Sequence, residues 1–123
     1  MKRIFNVLAL GLLLIGCGPE KPQAPADLVP KDKMVEVLID LYKAEATVST
    51  QHLPKDEAMN AYQQLEGGVY SKNDIDSAAF NKSYAYYLKE DVETAAEIQK
   101  EVVEQLKKAK EALAEAKASS SKK

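Results

Sequence analysis

Apolar residues from Met34 onward recur at three- and four-residue intervals. The register runs through 34, 38, 41, 42, 45 and 48, with Val35 and Val37 at its flanks. At ~100° per residue Met34, Leu38 and Leu41 share one narrow stripe, while Glu36, Asp40 and Lys43 face the other way. This predicts an amphipathic helix from Pro30 to about Thr50. Pro30 is placed at the first helical position, where its missing N–H costs nothing, and Asp32 meets the positive end of the helix dipole. Leu53-Pro54-Lys55-Asp56-Glu57 repeats that opening and predicts a second helix, with Ala58, Tyr62 and Leu65 as its face and a stop at Gly67-Gly68. Val69 to Asp74 then reads as irregular, with Ser71 and Asp74 or Asp76 as candidate caps. A third helix carries Ala79, Phe80, Ser83, Tyr84, Tyr87 and Leu88 on one face. Lys89-Glu90-Asp91 is a break, and Asp91 caps a last helix from Val92 to about Lys117. The seam of that helix runs Val92, Ala95, Gln99, Val102, Leu106, Ala109, Leu113, Ala116, narrow like a coiled-coil edge. Its second half offers only Leu113 and alanines, so it is expected to project past the core or to meet another chain. The fold class expected is all-α: a small bundle of three to four helices with a long C-terminal helix over 30–117, then a disordered tail over 118–123.

Ahead of the domain the pattern changes. Lys2 and Arg3 precede a nearly unbroken apolar run from Ile4 to Ile15. As a helix that run is about 18 Å long, too short for a hydrocarbon core of about 30 Å, and it fits the h-region of a signal peptide over 1–16. It ends in Leu14-Ile15-Gly16-Cys17, which resembles the lipobox of bacterial lipoproteins. Small Gly16 would let a protease reach the bond before Cys17. The resemblance implies a thioether from the Cys17 sulfur to diacylglycerol and a further acyl chain on the freed amine, with no other cofactor expected. Each buried methylene adds about 0.8 kcal/mol, so three chains would hold the protein on a membrane permanently. Gly18 stands where Asp would retain a lipoprotein on the inner membrane, which implies the outer membrane. Glu20 alone is no acidic export cluster, which favours the periplasmic face. Residues 17–29, with Pro19, Pro22 and Pro25, read as an extended linker reaching up to roughly 35 Å at ~3.1 Å per residue.

Charge narrows the partners. The formal net charge is −2, and without Lys2 and Arg3 it falls to about −4. The chain shows no basic patch beyond Lys122-Lys123, so nucleic acid is not an expected partner. The membrane, through the lipid, and another envelope protein are. Cys17 is the sole cysteine, which excludes an internal disulfide and a Cys-x-x-Cys pair.

Few residues suggest chemistry. Glu45 projects onto the apolar stripe of the first helix, where a carboxylate needs a partner. Ser83, Tyr84 and Tyr87 could supply donors, making a polar site that is either a structural bond between helices or a ligand pocket; a rim position in water is the third reading. Phe80, Tyr84 and Tyr87 have the spacing of a core face, whereas Tyr86 points elsewhere and suits a partner or glycan surface. His52 lacks companions for a metal site, and no nucleophile–base pair or phosphate loop is evident, so no catalytic activity is expected.

Two stretches carry a family resemblance. Leu28-Val29-Pro30-Lys31-Asp32-Lys33-Met34-Val35, continuing through Leu38, Asp40, Leu41, Ala44 and Glu45, is one; Phe80-Asn81-Lys82-Ser83-Tyr84-Ala85-Tyr86-Tyr87 is the other. In this order after a lipobox they resemble a family of small Bacteroidetes lipoproteins known only as domain of unknown function 4296. The resemblance implies a helical fold over roughly residues 28–106 and a cell-envelope location. It implies no activity and no catalytic residues.

Overall fold

The computed structural model describes residues 22–121, so the signal segment, Gly16 and Cys17 lie outside the described residues. Four helices follow one another: α1 (Lys31–Ser49), α2 (Lys55–Lys72), α3 (Ser77–Glu90) and α4 (Val92–Ser120). No strand occurs among the described residues, and the expected all-α bundle with a long last helix is what forms.

Helix α1 is the hub. It packs against α2 and against α4, and α3 packs against α4. With neighbours on more than one side it buries a wide sector, Met34, Val35, Val37, Leu38, Ile39, Ala44 and Val48, rather than one narrow stripe. Phe80, Tyr87, Ala95, Ile98 and Val102 complete the core from α3 and α4.

The helix starts obey local chemistry. Pro30 (φ −60°, ψ 152°) and Pro54 (φ −54°, ψ 151°) each stand one residue before their helix instead of opening it. Their ring-fixed φ suits a helix, but ψ is extended. Each carbonyl still accepts the first helical bond, from the N–H of Met34 at 2.9 Å and of Ala58 at 2.8 Å. Asp76 caps α3 by accepting from the Ala79 N–H at 3.0 Å, and Asp91 caps α4 by accepting from the Thr94 N–H at 3.2 Å.

Four expectations need correction. Helix α2 runs through Gly67-Gly68, so Ser71 is helical and caps nothing. Two helical glycines cost roughly 1 kcal/mol each relative to alanine; the turn beyond them repays this by burying Val69 and setting Tyr70 against Phe80, ring centroids 5.6 Å apart. Leu65 and Leu88, assigned to inward faces, are exposed, because α2 meets the core through its last turn and α3 turns away after Tyr87. On α4 Ala95 and Val102 of the expected seam are buried, but so is Ile98, which that seam omits, while Val92 is exposed. Gln99 lies at the edge of this face, where its amide reaches the Tyr84 hydroxyl. Finally, α4 stays helical to Ser120, taking in Ala118, Ser119 and Ser120 of the expected tail.

From Lys110 onward every described residue of α4 is exposed. This overhang of about eleven residues is ~16 Å long. Helices α1 and α4 point the same way: Lys31 pairs with Glu97 at 2.7 Å near their starts, and Ile39 and Asp40 share a groove with Gln105 further along. The overhang therefore leaves the bundle at the end opposite to where the chain enters α1.

Candidate functional site

The chain before α1 is bound to α3. The Ser83 hydroxyl accepts from the Val29 N–H at 2.9 Å, and the Tyr87 hydroxyl donates to the Val29 carbonyl at 2.8 Å. Ser83 and Tyr87 are four residues apart, hence on one face of α3, and together they satisfy both polar backbone groups of a single residue. Ser83 is 0% exposed and Val29 5% exposed, so the joint is dry, where unpaired groups would be costly. Outside it, the Lys82 ammonium pairs with Asp27 at 3.1 Å and holds that carboxyl below its usual range. A turn bond from the Leu28 N–H to the Pro25 carbonyl, 3.1 Å, folds the segment back on itself. The linker expected to run free to residue 29 is thus packed from about Pro25, because two hydroxyls and a lysine on α3 offer it partners.

Of the candidate polar residues, then, Ser83 and Tyr87 come together, over a backbone. Tyr84 lies beside them on a different errand. Its hydroxyl accepts from Gln99 Nε2 at 2.8 Å and its ring stacks on Phe80 at 6.0 Å. Burial pushes the Tyr84 and Tyr87 hydroxyls up, which keeps on Tyr87 the proton it donates. Tyr70 is pushed up to about 12 by burial and by Glu66. Tyr86, expected to point away, is half-buried and meets Tyr87 edge-on at 5.9 Å.

Glu45 is not part of this group. It is exposed and lines an open groove of about 460 Å³ between α1 and α2, with Val48, Ser49, Lys55, Ala58, Met59 and Tyr62. The projection was right in angle, since Glu45 falls within about 20° of Leu38. It lies a further two turns along, where nothing covers that side of α1. Tyr62 across the groove is pushed up by burial and by the negative charge of Glu66 and Glu45. His52 is exposed in the α1–α2 connection with φ 52°, a conformation uncommon outside glycine, and Asp74 adopts φ 51° after α2.

Among the described residues every buried side-chain polar atom has a hydrogen-bond partner, and no three His, Cys, Asp or Glu side chains converge on a metal-sized space. No described helix is long and apolar enough to cross a membrane.

The two halves of the Val29 joint come from the two stretches that carried the family resemblance, one before α1 and one on α3. A family model described as Domain of unknown function (DUF4296) matches residues 25–112. The chain belongs to that family. No curated protein and no solved structure matches it. The match to the DUF4296 family begins at Pro25, where packing of the incoming chain begins, and ends within the overhang of α4, one residue short of Leu113.

The sequence signal for this site was present but indirect. Val29 and Ser83 each sat in a motif, yet nothing in either motif names the other, because the recognised groups on Val29 are its backbone N–H and C=O.

Proposed function

We propose that this DUF4296 protein is a lipid-anchored envelope protein whose helical domain is a non-catalytic interaction module facing the periplasm from the outer membrane. One observation supports the reading: the incoming chain and the exposed end of α4 leave the helices at opposite ends. The chain from Cys17 enters at the Val29 joint, and the overhang of α4, with Leu113 63% exposed on the continuation of its core stripe, leaves from the other end. A diacylglycerol thioether and an N-acyl chain on Cys17, after cleavage behind Gly16, would fix the first end to the membrane. An envelope protein would meet the second, as amphipathic helices commonly dock through such a stripe.

Mass spectrometry of the exported protein should find the signal removed and lipid on Cys17, and Cys17→Ser should move the domain from the membrane to the soluble fraction. An unmodified thiol on the mature chain would end the anchored reading. For the interaction, Leu113→Lys should abolish crosslinking of an envelope protein to the α4 tip while leaving the helical circular dichroism unchanged. Leu106 is unsuitable for that test because it packs partly against the core.

A small-ligand role has its own observation, the groove beside Glu45 with Met59 half-exposed over Val48 and Ala58. Such a site would have to work without Ser83 and Tyr87, which are committed to Val29. Failure of Met59→Lys to alter any ligand's binding would remove it.

A further inference from the structure

We propose that residues 25–29 form a releasable strap, whose detachment from α3 lengthens the membrane tether without unfolding the four helices. The role in tethering rests on the anchored reading above; the release itself does not. Of the strap's residues Val29 alone is buried, while Pro25 and Leu28 are half-covered and Ala26 and Asp27 are exposed; Pro30, bonded to Met34, stays with α1. Its hold on the domain consists of the two Val29 bonds to Ser83 and Tyr87, the apolar contact of Val29 and partly Leu28, and the surface pair Asp27–Lys82. Its one internal bond, Leu28 to Pro25, does not tie it to any helix. Helix α1 does not depend on it for a core, because Met34, Val35, Val37 and Leu38 pack below it. A segment with so few buried contacts opens locally at far lower cost than the global fold, since opening returns the conformational freedom of its residues. Fastened, the tether ends near Pro25, about eight residues from Cys17, a reach of about 25 Å at ~3.1 Å per residue. Released, it ends near Pro30 and gains about 15 Å.

Hydrogen exchange of the full mature chain, read by mass spectrometry and amide NMR, tests this. The Val29 amide should exchange at least about 100-fold faster than those of Leu38 and Ile98, yet more slowly than an unstructured amide. Ser83→Ala with Tyr87→Phe should bring Val29 close to the unstructured rate with the Leu38 and Ile98 amides still protected. If the pair of changes unfolds the domain, Lys82→Glu is the milder variant, and it should speed Val29 exchange several-fold while Ile98 is unmoved. Val29 exchanging at the same rate as Ile98 in the unaltered chain would overturn the strap, because its opening would then be global unfolding. The same spectra weigh the peptide holding Cys17, so a missing lipid would show separately and would count against the anchor only.

Discussion

Val102 and Leu113 lie on the same stripe of the same helix, yet one is 1% exposed and the other 63%. Helical register accounts for neither value. Val102 is covered because α1 and α3 both pack against α4; Leu113 is bare because no helix packs against α4 beyond Ala109. The near region of the molecule, around Val29, Ser83, Tyr87 and Ile98, is closed by bonds and packing from three directions. The far region, α4 beyond Ala109, is a helix built mostly of Ala, Lys and Glu, which have high intrinsic helix propensity. One stretch of amphipathic sequence can thus serve as core in one half and as surface in the other.

The sharpest way to break this contrast is to truncate both regions. Ile98→Ala should cost about 2–5 kcal/mol in urea unfolding, since a fully buried side chain leaves a cavity, whereas Leu113→Ala should stay within about 0.5 kcal/mol. Comparable losses at both sites would mean that the overhang is covered after all. At the joint, Tyr87→Phe keeps the ring and removes the donor, leaving the Val29 carbonyl unpaired in a dry site. A loss of about 1–3 kcal/mol is expected by the same measurement. Asp91→Ala, which uncaps the start of α4, should cost about 1 kcal/mol. In the opposite direction, Gly67→Ala or Gly68→Ala should raise the midpoint by a similar stabilisation of about 1 kcal/mol, because each glycine is helical and an added Cβ meets open space.

The smallest effect concerns pH. Burial pushes the Asp40 carboxyl up, but its bonds to Lys72 at 2.9 Å and Asn73 at 3.1 Å outweigh that and hold it below the 3.8 of a free aspartate side chain. The folded state therefore binds this proton less readily than the unfolded chain does. The α1–α2 link is fully present above pH 3.8 and is lost as pH falls through the lower folded value. Asp40→Asn should flatten that part of the stability–pH curve; an unchanged slope would show that the bonds to Lys72 and Asn73 contribute nothing there.

How far the sequence could be read follows the same division. The positions of α1, α3 and α4, and the caps at Asp76 and Asp91, were legible because they depend on local spacing and side-chain chemistry. Gly67-Gly68 misled, because the reason the helix continues lies outside it, in the burial of Val69 and the contact of Tyr70 with Phe80. Ile98 was missed because the seam stepped from Ala95 to Gln99 instead of Ile98, and Gln99 gives its amide to Tyr84 at the edge of the core. Glu45 was correctly aimed, and its exposed place on an open groove matches the third of its three readings, a rim position in water, since a projection gives direction about a helix and not what stands opposite. The Val29 joint was invisible for a different reason: a hydrogen bond to a peptide group leaves no trace in the identity of the residue that is held.

That indifference has a consequence for descent. Two hydroxyls one turn apart on α3 grip an amide and a carbonyl that nineteen of the twenty amino acids provide, so position 29 is free to drift among apolar residues of similar bulk. Proline alone lacks the donor, and a second proline directly before Pro30 would silence Ser83 while leaving Tyr87 its acceptor. Across diverged copies of this domain, the Ser–Tyr pair should therefore outlast the residue it holds.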